Sequence, residues 1–262
     1  MAKRLSGKLN SLERSLPQGV IVDAAWLSRN GYSTSLRSQY VSAGWLEQPA
    51  RRVYRRPSGA LAWQYVVISL QTLLQRALVV GGRTALELHG YAHYLAQSDR
   101  EVHLYGPKPP PSWLHELPLD VRFRYHNSQP LFGDDTPGTA AVSVIKWGAQ
   151  EEWRLTVSPP ERAILELLDE LPNRESFHQA DMLMEGLTSL SPRRLQELLV
   201  ACRSVKVKRL FFFFADRHHH RWLKQLDKTR IDFGQGKRML VRGGKLDHAY
   251  QITVPEALHG VS

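Results

Sequence analysis

Apolar side chains recur at helical spacing near the start of the chain. Leu9, Leu12 and Leu16 lie three and four positions apart, so they predict a helix over residues 8–16 with one apolar face. Pro17 follows directly and ends that helix, because proline lacks the N–H that the next turn would need.

The next forty residues alternate short apolar runs with capping and turn residues. Asp23 is a good N-cap for a second helix, and Gly31 suits the left-handed residue after its end. Ser33 or Thr34 caps a third helix, and residues 45–57 then hold two short apolar strands around a turn. Helix, glycine turn, helix and hairpin is the order of a winged helix-turn-helix.

Beyond residue 60 the pattern predicts mixed helix and strand. Helices are predicted at residues 63–76, 84–89, 159–171 and from Pro192, and strands at 101–105, 121–125, 142–145, 153–157, 210–214, 239–241 and 250–254. Ser158 is predicted to cap its helix, with Pro159 in the first position and Glu161 completing a capping box. Ser191 is predicted to cap the helix that follows.

These elements predict an α+β protein with an N-terminal winged helix-turn-helix and a larger mixed α/β domain. The expected boundaries are residues 1–95 for the N-terminal DNA-binding domain, with the winged helix at about 1–57, and 96–262 for the C-terminal domain.

Charge narrows the class of partner. The 262 residues carry 35 Lys and Arg against 25 Asp and Glu, a formal net charge of +10. Residues 1–60 hold +7 of it and residues 202–248 hold +9, so two basic regions flank an acidic middle. Such a distribution favours nucleic acid or another anionic partner.

The cellular compartment can be predicted from sequence features that are absent. A single cysteine, Cys202, excludes an internal disulfide framework and a cysteine zinc site. No apolar stretch is long enough for a membrane span, and the basic start is not followed by the core of a secretion signal. The expected location is the cytoplasm, with no membrane partner.

In a winged helix the third helix enters the major groove, and its first turn faces the base edges. The predicted DNA contacts on that helix are Ser33, Thr34, Ser35, Arg37, Ser38 and Gln39. Arginine pairs with guanine, glutamine with adenine, and the hydroxyls with either. The hairpin contributes Arg51, Arg52, Arg55 and Arg56, which we expect at phosphates or in the minor groove. A protein-binding winged helix with a solvated polar face is the alternative.

The second basic region predicts an additional nucleic-acid contact. Its candidate residues are Lys206, Lys208, Arg209, Arg217 and Arg221. The run Phe211–Phe214 between them predicts a strand buried on both faces, because adjacent side chains of a strand alternate and cannot form one stacking platform.

Other reactive side chains predict neither catalysis nor a metal or cofactor site. His218–His220 reads as a surface loop without a third ligand, and Gly234–Lys237 as a turn without the Walker spacing. Cys202 lies in an apolar stretch where a thiol is inert. Asp134 and Asp135 lie in a predicted turn, so no catalytic constellation is expected.

Seven sequence blocks, taken together and in order, resemble the AbiEi antitoxin family of abortive-infection toxin–antitoxin systems. They are Gly31–Leu36, Gly44–Leu46, Val53–Pro57, Val80–Gly90, Ser158–Ala163, Lys208–Phe213 and Ile252–Pro255. Each block alone is weak evidence for the resemblance, but together, in this order, the blocks span nearly the whole chain.

The resemblance implies a bacterial regulator rather than an enzyme. Its winged helix would bind inverted repeats in the promoter of its own operon and repress it, with two copies bound cooperatively. Its C-terminal domain would counteract a nucleotidyltransferase-type toxin without forming a stable complex.

Three other functions stay open at the level of sequence. An RNA-binding protein would use the C-terminal basic region. A nucleotidyltransferase or nuclease would need clustered carboxylates for Mg²⁺, in which that region is poor. An antitoxin acting by direct binding would dock its basic surface on an acidic toxin.

Overall fold

The structure is a computed structural model and describes residues 2–91, 101–133, 142–148 and 153–258, with side chains from Gly7 onward. Its N-terminal part is a winged helix-turn-helix. The elements are α1 (Ala2–Ser15), β1 (Ile21–Asp23), α2 (Ala24–Arg29), α3 (Thr34–Ser42), β2 (Glu47–Ala50) and β3 (Val53–Arg55). The three strands form an antiparallel sheet in the order β1-β3-β2, and β2–β3 is the wing.

Local capping explains where these helices begin. The Asp23 carboxylate accepts a hydrogen bond from Trp26 N at 2.7 Å, and Ser33 Oγ accepts one from Leu36 N at 3.3 Å. Gly31 has φ +83°, a conformation that glycine adopts without steric cost. Both N-caps and the turn glycine predicted from the sequence are confirmed.

A five-stranded sheet forms the middle of the molecule. Its part of the chain comprises α4 (Trp63–Thr72), β4 (Val79–Val80), α5 (Gly82–Leu88), β5 (Glu101–Gly106), β6 (Arg122–Asn127), α6 (Gln129–Phe132), β7 (Ser143–Trp147) and β8 (Trp153–Val157), with a 3-10 turn at Ser112–Glu116. The strand order is β6-β5-β4-β8-β7. The pairs β5–β6 and β4–β8 are parallel, and the other two are antiparallel.

The C-terminal part is mostly helical. It contains α7 (Pro160–Asp169), α8 (Phe177–Gly186), α9 (Pro192–Ala201) and α10 (Val205–Arg217), then β9 (Lys245–Asp247) and β10 (Ile252–Val254), with 3-10 turns at Arg221–Gln225, Lys228–Arg230 and Glu256–Leu258. Together with the sheet and the winged helix, these elements confirm an α+β fold.

Two hydrophobic cores lie on opposite faces of the sheet. Val102 and Leu104 of β5 pack in a core shared with the winged helix and α4. The alternate residue Tyr105 reaches α7, where its hydroxyl lies 3.4 Å from the Glu166 carbonyl oxygen. Helices α5 and α7–α10 form the second core. The winged helix is therefore continuous with the sheet through a single core.

Helix α4 joins the winged helix to the sheet by polar contacts as well. Ser69 Oγ accepts a hydrogen bond from Ile21 N at 2.9 Å. The Gln71 amide donates to Thr156 O and accepts from Thr156 N, both at 2.9 Å, as a neighbouring strand would. These bonds satisfy buried backbone groups at each junction.

The phenylalanine run departs from the sequence prediction. Phe211–Phe214 lie inside α10 rather than in a strand, and all four side chains are buried. Ser204 Oγ caps this helix by accepting from Val207 N at 3.3 Å. Because α10 packs within the second core, every residue from Val207 to Ala215 is buried, so the phenylalanine run alone does not distinguish this helix from a buried strand.

The capping box predicted at Ser158 is also wrong. Pro159 is the N-cap of α7, and Ser158 Oγ instead donates to Glu166 Oε1 at 3.1 Å. The Glu161 carboxylate accepts from Ser191 N at 2.7 Å and from Arg194 at 2.9 Å. Ser191 does cap α9, as predicted.

The strand predicted at residues 239–241 is not formed, although Arg238 makes an isolated bridge with Ile252. Asp134 and Asp135 lie outside the described residues. Among the described helices, none has both the length and the apolar character that crossing a bilayer requires.

Candidate nucleic-acid interface

Helix α3 exposes most of the side chains that the sequence predicts at DNA. Ser33, Thr34 and Ser35 are exposed at its first turn, and Ser38 and Gln39 are exposed one turn later. Leu36 and Tyr40 face the core, so the helix is held by its apolar side and leaves a polar surface rich in hydroxyl groups.

Arg37 is the exception, because its side chain is turned into the fold and is not placed to read a base. Only 7% of the residue is exposed. Its Nη1 donates to the Ala24 carbonyl at 2.7 Å, its Nη2 donates to Thr34 Oγ1 at 2.7 Å, and the guanidinium lies 5.9 Å from the centre of the Tyr54 ring. The side chain therefore joins α2, α3 and the wing instead of projecting towards a groove.

The four hairpin arginines fall into two pairs. Arg51 and Arg52 are exposed at the tip of the wing, and within the described residues neither has a carboxylate partner. Arg55 is paired with Glu47 at 2.7 Å, and Arg56 with Glu13 at 3.3 Å. Because a carboxylate already offsets the charge of the second pair, Arg51 and Arg52 are the stronger candidates for phosphate contacts.

Ala24 fixes the wing relative to α3. Its N–H donates to the Arg52 carbonyl at 2.8 Å, while its own carbonyl accepts from Arg37. Arg52 has φ +64°, a left-handed backbone conformation, and it lies in the turn between the two strands of the wing. One residue thus holds the two parts of a winged helix that meet a duplex.

Lys8 lies near α3 although the sequence analysis did not single it out. Its ammonium donates to the Gly31 carbonyl at 2.9 Å, at the turn between α2 and α3. Arg29, the last residue of α2, is exposed close to the same turn. The position of Lys8 could have been predicted from the helical spacing of α1, because Lys8 lies four residues before the buried Leu12 and next to the apolar face.

Most of the candidate contacts in the second basic region are buried or already have partners within the fold. Lys208 is 4% exposed and Arg209 is 3% exposed. Lys206 donates to the carbonyl oxygens of Asp169 and Leu171, and Arg217 is paired with Asp181 at 3.1 Å. Of the five candidates only Arg221 is exposed.

Arg209 has a structural role that explains its burial. Its guanidinium donates to the carbonyl oxygens of Phe233, Gly234, Gly236 and Gln251, at 2.7 to 3.2 Å. A rigid fork of N–H donors can satisfy several carbonyls of an irregular loop at once. Besides Arg221, the exposed cations of residues 202–248 are Arg203, Lys224, Lys228, Arg230, Lys237, Arg238, Arg242 and Lys245. Of these, Lys228 is paired with Asp216 and Lys245 with Glu256.

Two of the sequence blocks meet at one buried carboxylate. Glu166 is 1% exposed and accepts from Gly82 N at 2.9 Å, Ser158 Oγ at 3.1 Å and Arg162 Nε at 2.7 Å. A Cβ at Gly81 would lie 2.2 Å from Glu166 Oε2. The glycine pair and the Ser158 block are therefore matched to each other structurally.

A cavity of about 310 Å³ opens beyond the carboxyl ends of β5 and β6. His126 Nδ1 lies 2.8 Å from Glu170 Oε1, and His126 Nε2 lies 2.9 Å from His103 Nδ1. Burial lowers the pKa of His103 to about 4, because a charged ring would lose its hydration. Both nitrogens of His126 are occupied within the fold, so this ring has no nitrogen to offer to a molecule in the cavity.

The remaining candidates are structural. His218 bonds Asp181 at 2.8 Å, and the buried His220 bonds the Met184 carbonyl at 2.7 Å. Burial raises the pKa of Cys202 to about 11, which keeps the thiol protonated and unreactive. The described residues contain no group of three His, Cys, Asp or Glu side chains that could hold a metal ion.

Comparison with known proteins identifies two family models along the chain. Residues 5–97 match the N-terminal domain of the AbiEi antitoxin transcriptional regulators. Residues 99–255 match the AbiEi antitoxin transcriptional regulators of type IV toxin–antitoxin systems. No curated protein matches the sequence.

A solved structure is similar in fold. The crystal structure of the RV2827C protein from Mycobacterium tuberculosis superposes with a TM-score of 0.57 at 17% identity. The alignment covers 94% of this chain and 89% of that one.

Proposed function

Since the chain belongs to the AbiEi family of antitoxin transcriptional regulators of type IV toxin–antitoxin systems, we propose that it binds duplex DNA in the promoter of its own operon and represses transcription. We propose further that it counteracts a co-expressed toxin of the nucleotidyltransferase type, in the cytoplasm and without a stable complex.

The observation that carries the DNA-binding proposal is the pairing of α3 with the tip of the wing. Helix α3 and its N-cap expose the hydroxyl residues Ser33, Thr34, Ser35 and Ser38 together with Gln39, and the wing exposes Arg51 and Arg52. Hydroxyl and amide groups can contact base edges, whereas free arginines neutralise phosphates. Ala24 holds the two elements together, so they can engage neighbouring parts of one duplex.

Two copies on an inverted repeat would supply the affinity that a single reading helix lacks. One winged helix contacts a few base pairs, and linking a second contact on the same duplex raises the effective concentration at the neighbouring site. The division near residue 95 into a DNA-binding and an antitoxin domain belongs to the same proposal.

The decisive experiment is a gel-shift titration of the full chain on the duplex immediately upstream of its reading frame. We expect tighter binding to that duplex than to a shuffled duplex of equal length, with two successive shifts. A structured RNA of similar length serves as competitor. Equal binding to both duplexes, or stronger competition by the RNA, contradicts sequence-specific promoter binding.

The antitoxin proposal has a separate test. The adjacent reading frame is expressed with and without this chain, and growth reports toxicity. We expect growth to be restored while size-exclusion chromatography at moderate salt shows the two proteins eluting apart. Co-elution would replace the proposed mechanism by direct binding, and unrelieved toxicity would remove the antitoxin role.

A further inference from the structure

We infer that the first turn of α3, with the buried Arg37 guanidinium beneath it, is a binding site for a phosphodiester of the DNA backbone, so that base recognition falls to Ser38 and Gln39. This inference rests on the proposed DNA binding and adds which part of α3 meets which part of the duplex.

The first turn offers backbone donors to an anion. In α3 the Leu36 N–H is used by Ser33 Oγ, and the Arg37 N–H by the Ser33 carbonyl. For the N–H groups of Thr34 and Ser35, the described part of the chain provides no acceptor. Both residues are exposed, and the N-terminus of a nine-residue helix favours negative charge.

Arg37 is the second, independent observation that points to an anion. More than nine-tenths of the residue is buried, and its Nε has no hydrogen-bond partner among the described residues. A buried cation needs compensation, but among the described residues its guanidinium contacts the Ala24 carbonyl, the Thr34 hydroxyl and the Tyr54 ring and no carboxylate. The positive charge therefore lies directly under the first turn of α3.

The hydrogen bond between Arg37 and Thr34 also determines whether the Thr34 hydroxyl donates or accepts in a further contact. Thr34 Oγ1 accepts from Arg37 Nη2 at 2.7 Å, which occupies one of its lone pairs. The hydroxyl proton stays available for a donated bond, and a neighbouring cation polarises it. Thr34 thus presents a donor beside two free N–H groups, which matches the oxygens of a phosphate better than the mixed edge of a base pair.

Within the described residues Arg37 forms no ion pair with a carboxylate. Asp23, the residue before Ala24, uses its Oδ1 to accept the Trp26 N–H as the N-cap of α2. Arg37 contacts the following residue, Ala24, through its backbone oxygen. Arg37 is accordingly a positioning residue that acts on DNA through Thr34 and through its charge.

The test uses fluorescence anisotropy with the upstream duplex and a shuffled duplex. Thr34→Val removes the hydroxyl and keeps the shape, and we expect about tenfold weaker binding on both duplexes. Ser42→Ala, at the far end of the same helix, is the matched control and should bind as the wild type does. Gln39→Ala should instead reduce the preference for the upstream duplex.

A scan of single methylphosphonates along the upstream duplex then locates the partner. We expect one position per half-site at which removing the phosphate charge weakens DNA binding by the wild type about tenfold. The same methylphosphonate should leave DNA binding by the Thr34→Val variant unchanged. Arg37→Gln should lose the same dependence, with its fold checked by thermal melting. Restored dependence in Arg37→Lys would support a role of charge at this position.

The outcomes separate the two proposals. Failure of the wild type to bind either duplex removes DNA binding and this site together. Normal wild-type binding with a Thr34→Val loss confined to the upstream duplex would assign Thr34 to a base and overturn the phosphate site alone. Unchanged binding by Thr34→Val, or no methylphosphonate position coupled to it, would overturn the site as well.

Discussion

Arg37 of α3 donates a hydrogen bond of 2.7 Å to the backbone carbonyl of Ala24, the first residue of the preceding helix. This contact turns the most obvious base-reading side chain of α3 inward. The helix consequently presents hydroxyl groups and an amide to its surroundings, and the exposed guanidinium groups come from the tip of the wing.

Arg51 is expected to dominate the salt dependence of DNA binding. Its side chain is exposed without a carboxylate partner among the described residues, whereas Arg55 is paired with Glu47. Arg51→Ala should lower the slope of log K against log salt by about 0.9, and Arg55→Ala by clearly less. Titrations at several salt concentrations measure both slopes. Arg193→Ala, an exposed arginine on α9, is the control, and equal slopes for the two wing variants would contradict the distinction.

Gly81→Ala should destabilise the fold strongly. The new Cβ would lie 2.2 Å from Glu166 Oε2 and 2.5 Å from Tyr105 Cδ2, and both of these residues are buried. Over-packing of this kind costs about 3 kcal/mol at the upper end of its usual range. Urea unfolding measures the loss. Gly59→Ala, where nothing lies within 4 Å of the added carbon, should unfold close to the wild type, and matching midpoints for both variants would refute the account.

Acid should weaken the fold through His103. Its pKa is lowered to about 4 by burial, so between pH 6.5 and 4 the unfolded chain binds a proton that the folded chain does not. Stability is therefore complete above pH 6.5 and falls as the pH decreases, by about 2 kcal/mol at pH 5. The desolvated His220 shifts stability in the same direction.

The His103 share is isolated by substitution. His103→Asn removes the titrating group, and urea unfolding at pH 7, 6 and 5 should show a flatter profile than the wild type. His219→Asn is the control, because His219 is exposed and its φ of +52° suits asparagine. An unchanged profile in His103→Asn would show that this ring does not set the pH dependence.

Arg209→Lys should loosen the C-terminal loop without affecting DNA binding. A lysine ammonium cannot reach the four carbonyl oxygens that the guanidinium fork satisfies, so carbonyl acceptors of residues 233–251 lose partners. Limited proteolysis should cut this segment faster than in the wild type. Lys224→Arg, an exposed substitution, is the control. A drop in operator affinity with unchanged proteolysis would restore the contact role that the sequence analysis gave to Arg209.

Sequence reasoning located the winged helix because its signals are local. Asp23 and Ser33 cap helices through bonds to residues three positions ahead, so their role is visible in the sequence. The inward turn of Arg37 was harder to see, because it depends on α2 packing against α3. Its position three residues before the buried Tyr40 was the available signal.

The C-terminal errors have a different cause. Phe211–Phe214 form an apolar run that occurs equally well in a buried strand and in a central helix, and only the surrounding helices decide between them. Ser158 and Glu161 match a capping box in sequence. Their tertiary partners Glu166 and Arg194 could not be foreseen from spacing.

The core shared by the winged helix and the sheet, together with the Ser69 bond to Ile21, packs these two parts of the chain against each other. Two molecules docked on a palindrome would hold their remote halves at a separation dictated by the helical repeat of the DNA. Inserting five base pairs between the half-sites would rotate one partner to the opposite side of the duplex, and the shared core would carry its remote half with it.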